Sequence, residues 1–259
     1  MAQMLSGSER AKFTAAKLAT DYVVSGMRVG LGTGSTAAWL VRQLGAMVTN
    51  DGLDIVAVPT SARTAELAIN LGIKIVTLDE VGWLDITVDG ADEFDRHFNL
   101  IKGGGGALLW EKIVARASSK MIVIADKAKD VATLGDFALP IEVIPFGLQT
   151  TKALIEAKLK DHGFKALDVQ LRQRDGVVFT TDEGNHIIDT RLGMVTKPQD
   201  LAVDLNSIPG VVENGFFIDI CETVIIGHET GNAEVRTLVD GKTVTATKQV
   251  AMNRYSDFG

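Results

Sequence analysis

Short apolar runs alternate with amphipathic stretches through the first half of the chain, the pattern of a parallel sheet covered by helices. Ser6 or Ser8 can cap a helix reaching about Val24, with Phe13, Leu18 and Tyr22 toward the core. Residues 28–31 read as a strand, 32–36 as a glycine-rich loop, and the stretch to about Met47 as a helix. A strand over 55–58 and a helix over 62–71 follow, the helix ended by Gly72 in the position after the cap that glycine favours. Residues 73–78 and 86–88 read as further strands and 107–117 as a helix. The strand over 121–125 is apolar along its length, as in a sheet buried on both faces.

The texture changes after about Leu134. Pro140 and Pro145 punctuate an extended segment, and 151–161 is a helix of alternating charge. Short strands over 168–173, 177–181 and 187–190 are split by Asp175-Gly176 and by the polar run from Asp182 to Asn185. A helix over 199–208 is broken by Pro209-Gly210. Residues 217–220 and 224–226 are expected to return to the first sheet, and the run from Leu238 to Lys242 reads as one more hairpin. No element is expected beyond about Thr247. The fold class is therefore α/β: a mostly parallel open sheet with helices on both faces, Rossmann-like, carrying a smaller α+β domain. The expected division is a catalytic domain over 1–134 and 208–259, with 135–207 inserted into it.

Composition narrows the function classes. The chain has 259 residues, 46% of them hydrophobic and 23% charged, which is ordinary globular composition rather than that of a disordered chain. A formal net charge of −7 disfavours a general nucleic-acid binder, which needs a basic face to neutralise phosphates. No stretch approaches the roughly 18 uninterrupted apolar residues of a membrane span. Glu9, Arg10, Lys12 and Lys17 lie where a signal peptide needs an apolar block. The single cysteine, Cys221, is the usage of a reducing compartment, so a cytoplasmic location is expected. What stands apart is glycine, 26 residues against 5 prolines, because the glycines cluster.

Each cluster bears on chemistry. Gly32-Thr33-Gly34-Ser35-Thr36 lies between a strand and a helix, where backbone N–H groups and the helix dipole suit an anion, or where a tight turn needs no ligand. Ser35 stands where a dinucleotide fingerprint needs its third glycine, and no lysine follows as in a nucleotide-triphosphate loop. Asp89-Gly90-Ala91-Asp92 ends a strand, where ligands bind in open α/β sheets. It reads as a pair of acids for sugar hydroxyls or proton transfer, as a solvated turn, or as a magnesium site. Lys102 precedes the four glycines Gly103 to Gly106, a run whose entropic cost points to close approach of something to the backbone. Glu111 falls in the second turn of a helix starting near Gly106, facing either a crevice or solvent. Lys129, after the strand ending near Ala125, reaches a phosphate or sits on the surface. The four histidines are scattered without a zinc spacing, Ser35 is in no hydrolase elbow, and Cys221 beside a strand reads as a small buried side chain.

Taken together and in this order, these segments resemble the A-type ribose-5-phosphate isomerases. The resemblance runs from near the N-terminus to about Gly227 and includes Ile141 to Pro145 and Ile208 to Val212. Gly106 lengthens the usual three-glycine run, and Trp110 replaces a more usual polar residue before Glu111. The resemblance implies a metal-free, cofactor-free enzyme interconverting D-ribose 5-phosphate and D-ribulose 5-phosphate in the pentose phosphate pathway, as a homodimer or homotetramer. It implies Glu111 as general base with Asp89, Asp92 and Lys102 as the other catalytic residues. Substrate contacts are then expected from Thr33, Gly34, Ser35, Thr36, Asp89, Gly90, Ala91, Asp92, Lys102, Gly103, Gly104, Gly105 and Lys129. A deaminase or lactonase acting on sugar phosphates would need a histidine near the acidic loop, where His97 stands without a matching motif. A sugar-phosphate sensor would need a basic helix-turn-helix, for which the first 25 residues hold one helix too few.

Overall fold

The computed structural model describes residues 5–165 and 168–250. They fall into two compact units, one within 1–90, 113–129 and 220–259, the other within 91–112 and 130–219. The second unit takes in the segment 135–207 expected as an insertion and extends beyond it, to 91–112, 130–134 and 208–219.

The first unit is built on an eight-stranded sheet. Its order is Lys242–Gln249, Asn232–Val239, Thr223–Gly227, Met121–Asp126, Ile86–Asp89, Arg28–Leu31, Val56–Pro59 and Lys74–Ile75. The last six strands run parallel to one another, and the first two form a hairpin at the edge, antiparallel to each other, with Asn232–Val239 antiparallel to Thr223–Gly227 at the junction. Alternation along Arg28–Leu31 shows how both faces are covered. Val29 and Leu31 join a core with Leu40, Val41 and Leu44 of the helix Ser35–Asp51 and with Ala15, Ala16 and Leu18 of the helix Gly7–Ala19. Gly30 faces the other way, where a side chain would meet Val114 of the helix Leu108–Arg116. The helix ends carry the local chemistry expected of them: Ser6 and Ser61 accept the backbone N–H groups of Glu9 and Thr64, and Gly52 closes the helix Ser35–Asp51 in the left-handed region. The strand order reverses between Arg28–Leu31 and Ile86–Asp89, and at the carboxyl ends of such a pair an open α/β sheet leaves a crevice.

Three sequence expectations change here. The strand over 73–78 is only Lys74–Ile75, because Thr77 and Glu80 form a capping box that starts the short helix Leu78–Val81. The segment 217–220 does not return to the large sheet. Phe216–Phe217 pairs instead with Leu100–Ile101 in the second unit, and Thr223–Gly227 alone makes the return. The hairpin at Asp240-Gly241 is present and longer than its turn signal implied, pairing Asn232 with Gln249 at its far end.

The second unit holds a four-stranded antiparallel sheet in the order Val211–Asn214, Leu139–Val143, His186–Arg191 and Asp168–Leu171. With the helices Leu148–Asp161 and Pro198–Asn206 this is the split βαβ arrangement, strand order 4-1-3-2 in its own chain order. Ile155, Leu159, Leu201 and Leu205 from the helices pack on Leu139, Ile141, Val143 and Ile188 from the sheet. The expected strands over 168–173 and 177–181 are shorter, broken into Asp168–Leu171, Gln173–Arg174 and Val177–Val178 around a tight turn. A three-stranded sheet of Phe216–Phe217, Leu100–Ile101 and Glu93–Phe94 completes the unit, and the buried Glu93 carboxylate accepts the N–H groups of Gly135 and Phe137.

One buried acid here sets a pH dependence. Glu142, on the central strand, is 1% exposed and accepts from Thr181 Oγ1 at 2.9 Å and Asn185 Nδ2 at 3.0 Å. Burial raises its pKa above the ordinary 4.5, and the nearby Glu183 and Glu213 carboxylates add to this, while the Asn185 and Thr181 hydrogen bonds oppose it. The folded state therefore holds this proton more tightly than the unfolded chain. Its contribution to stability is full below the ordinary glutamate range and is lost as pH rises through the folded value. Glu142→Gln should flatten that part of the profile, so urea midpoints of parent and variant diverge in the variant's favour between acidic and neutral pH. A constant offset across that range would refute the linkage.

Candidate active site

In the first unit the crevice at the strand switch is built around Asp89. The loop leaves Arg28–Leu31 through Gly32, whose N–H donates to Val88 O at 3.0 Å. A Cβ on Gly32 would stand 2.1 Å from Asp89 Oδ1 and 2.5 Å from Asp89 Cα, so this glycine is needed for close packing of the two strand ends. Asp89 is fully buried, and its Oδ1 accepts the N–H groups of Thr33 at 3.0 Å and Gly90 at 2.7 Å. The Thr33 hydroxyl, expected to face a ligand, is turned inward. It lies 2.8 Å from Thr60 Oγ1 and Ser61 Oγ and 3.2 Å from Thr64 Oγ1, a buried hydroxyl cluster that also bonds Leu31 O and Gly32 O. Thr33 thus shapes the loop through Asp89 and these hydroxyls. The loop's open part is Gly34, with φ 113° and no atom near its absent side chain, followed by exposed Ser35 and half-buried Thr36 at the start of the helix Ser35–Asp51. Gly34 and Ser35 border a cleft of about 430 Å³ whose lining includes Arg42, Arg63 and Thr64. Lys129 is half-buried in a single 3₁₀ turn after Met121–Asp126, a turn held by Asp126 Oδ1 accepting Ala128 N–H.

In the second unit the central feature is an ion pair out of contact with water. Lys102 Nζ stands 3.1 Å from Glu111 Oε1, and the two residues are 2% and 4% exposed. Glu111 therefore faces inward, which removes the solvated alternative, and it lies in the first turn of the helix Leu108–Arg116 rather than the second. Its sequence neighbours are tied down separately. Trp110 Nε1 donates to Glu183 Oε1 at 2.7 Å, and Lys112 Nζ reaches Glu213 Oε1 at 2.8 Å and Asn214 O at 2.6 Å. Trp110 thus occupies its unusual position without entering the pair. Burial tends to raise the Glu213 pKa, but Lys112 and the hydrogen bonds from Asn206 and Asn214 outweigh it and hold the group ionised, below its ordinary value. Both lysines lie near the Phe217 ring, whose centroid is 5.4 Å from Lys102 Nζ and 5.0 Å from Lys112 Nζ.

The glycine run between Lys102 and the helix is held in one conformation. Gly103 and Gly106 have φ of 104° and 87°, which side chains rarely adopt. Gly106 N–H closes a turn on Gly103 O, and Gly104 N–H donates to Asp92 Oδ2 at 2.7 Å. The extra glycine is explained by Phe179, whose Cζ would stand 2.3 Å from a Cβ on Gly106. Asp89 and Asp92, three apart in sequence, belong to different units: the first is anchored by Thr33 and Gly90, the second by the glycine loop. Ala91 and Gly90 are half-buried links between them. Lys112, Glu213, Phe217 and Phe179 were not singled out from the sequence, since nothing in their spacing marks them. His97, the residue a rival chemistry would need, is exposed and its ring accepts from Arg96 Nε.

Residues 56–231 match the family described as ribose 5-phosphate isomerase A (phosphoriboisomerase A). A ribose-5-phosphate isomerase A of Ruegeria sp. (strain TM1040) is 62% identical over 237 residues, 92% of this chain and 90% of that one. One from Cereibacter sphaeroides (strain ATCC 17023) is 55% identical over 257 residues, 98% of each chain. Among solved structures, a D-ribose-5-phosphate isomerase in complex with phospho-erythronic acid is 40% identical with a TM-score of 0.83, covering 90% of this chain and all of that one. The ribose 5-phosphate isomerase of Plasmodium falciparum is 35% identical with a TM-score of 0.80, covering 93% and 99%.

Proposed function

This chain belongs to the ribose 5-phosphate isomerase A family, and from that premise we propose how its residues divide the reaction. The enzyme is an aldose–ketose isomerase interconverting D-ribose 5-phosphate and D-ribulose 5-phosphate, a step of the pentose phosphate pathway. The reaction moves a carbonyl from C1 to C2 with no external oxidant or reductant. A base removes the C2 proton, the electron pair forms the C1–C2 double bond, and the aldehyde oxygen takes the charge of an enediolate. Transfer of a proton between O2 and O1 and return of the carbon-bound proton to C1 give the ketose.

Glu111 is the base. The observation that carries this assignment is the buried Lys102–Glu111 pair, which sets a carboxylate away from water beside the cation that its proton transfer requires. Lys102 and the N–H groups of Gly103 and Gly105 stabilise the enediolate oxygen as it gains charge, while the N–H of Gly104 holds Asp92. Asp89 and Asp92 hold hydroxyls, assist opening of the furanose, and pass the proton between O1 and O2. Gly34, Ser35, Thr36 and Lys129 place the phosphate, with Gly90 and Ala91 lending backbone to the same substrate and Thr33 acting through its N–H on Asp89. The chain works without metal or cofactor, in the cytoplasm, as a homodimer or homotetramer, and binds neither nucleic acid nor membrane.

A direct isomerisation assay with ribose 5-phosphate, run beside five- and six-carbon competitor phosphates, tests this reading. Ribose 5-phosphate should be turned over, and a chelator should leave the rate unchanged. Loss of activity to the chelator with recovery on adding a divalent ion would overturn the metal-free assignment and give Asp89 and Asp92 a ligand role instead.

A further inference from the structure

Resting on the isomerase reading above, we infer that Arg172 is a positioning residue of this site. It fixes the glycine loop so that the Gly105 N–H is kept for the enediolate oxygen. Arg172 follows the strand Asp168–Leu171 in a segment that carries no motif, nearly seventy residues beyond the glycines. Its Nη1 donates to Gly103 O at 2.8 Å and lies 3.3 Å from Gly104 O. The other edge of the guanidinium forks onto Asp189, Nε to Oδ2 at 2.8 Å and Nη2 to Oδ1. Its carbon stands 5.9 Å from the centroid of Phe179, the ring that fills the space under Gly106. One short segment therefore grips the loop at two points: by charge on two carbonyls and by packing beneath a third glycine.

The geometry of the peptide unit gives this grip a direction. In a trans peptide the C=O and the following N–H point opposite ways. The carbonyls of Gly103 and Gly104 converge on Arg172, so the N–H groups of Gly104 and Gly105 point away from it. That of Gly104 ends on Asp92 Oδ2 at 2.7 Å. That of Gly105 forms no hydrogen bond among the described residues. A donor held in place and left unspent is what a developing oxyanion requires, and a run of four glycines would hold it poorly unaided. The guanidinium spends four N–H groups on two carbonyls and both oxygens of one carboxylate, whereas a lysine ammonium has three, so lysine is no substitute.

The test uses full-length Arg172→Ala, Arg172→Lys, Asp189→Asn and Glu111→Gln. For each, kcat, KM for ribose 5-phosphate, inhibition by phospho-erythronic acid and thermal midpoint are measured. The carboxylate of phospho-erythronic acid stands in for the enediolate. Arg172→Ala should lower kcat about 10- to 100-fold with KM changed less than about threefold, and should weaken phospho-erythronic acid by a similar factor. Arg172→Lys should stay impaired, while millimolar guanidinium ion should restore part of the turnover of Arg172→Ala alone. Normal kcat and unchanged inhibition in Arg172→Ala would overturn the inference. Should both Arg172 variants fail to fold, Asp189→Asn decides: a lowered kcat and weakened inhibition at an unchanged thermal midpoint support it, and parental values refute it. Glu111→Gln keeps the two readings separate. If it is inactive while Arg172→Ala is normal, only the positioning role fails, whereas an active Glu111→Gln removes the base assignment itself.

Discussion

Glu111→Gln is expected to bind ribose 5-phosphate nearly as the parent does and to turn it over roughly a thousandfold more slowly. The substitution keeps the size of the side chain and an acceptor toward Lys102, but removes the carboxylate proposed to take the proton. General acid–base groups contribute about 10²–10⁴ in rate, and in the proposed mechanism one carboxylate both removes and returns the carbon-bound proton. The loss should lie in kcat, with KM little changed, because the proton transfer is made only on the way to the transition state. A neutral amide also removes the opposite charge from Lys102, which stands 3.1 Å away and 2% exposed, though it keeps an acceptor there. Part of the measured loss will therefore be Lys102 relaxing from its place. Isotope exchange separates the two contributions. Loss of C2 proton exchange with solvent in parallel with kcat identifies Glu111 as the base. Exchange at the parental rate with slow product formation would move the base elsewhere.

How far the sequence anticipates this site depends on the range of the interaction. Strand-to-helix loops and acids at strand ends are local features, and Gly32–Thr36, Asp89 and Asp92 could be located from the residues beside them. Their orientation could not. Thr33 reads as a ligand-facing hydroxyl until Thr60, Ser61 and Thr64, about thirty residues on, are seen to surround it. Gly32 reads as room for an anion, while the atom that needs the room is Asp89 Oδ1. Phe216–Phe217 illustrates the same limit in the fold. A short apolar run signals a strand but not its partner, and this one pairs with Leu100–Ile101 instead of returning to the large sheet. The capping box at Thr77 and Glu80 is a different case: its signature is local, yet the apolar run over 73–78 reads as a strand and masks it. Even the resemblance, which carries the function, leaves Glu183, Glu213 and Arg172 unmarked, because their partners lie far along the chain.

Replacing the cation has a larger combined effect than replacing the base, because it acts on stability as well as rate. At 3.1 Å, and with an effective dielectric of about 20, the attraction within the Lys102–Glu111 pair is roughly 5 kcal/mol before the cost of burying both charges. Lys102→Met keeps the aliphatic bulk against Phe217 and leaves Glu111 buried without the Lys102 charge. Breaking a buried pair in this way costs about 3–5 kcal/mol. The relief open to Glu111 is to hold a proton, and a protonated acid cannot act as the base. The enediolate also loses the cation proposed to meet its charge, an effect of about 10²–10³ in kcat where a single oxyanion donor is removed elsewhere. Lys102→Met should therefore be markedly less stable to urea than the parent and nearly inactive. Adding Glu111→Gln to it separates the two effects. The double variant no longer buries a carboxylate that has lost its lysine, so much of the stability should return while activity stays absent. If the double variant is no more stable than Lys102→Met alone, the pair is not the source of the loss. If Lys102→Met retains more than about a tenth of parental kcat, the charge on the enediolate is being met by another group.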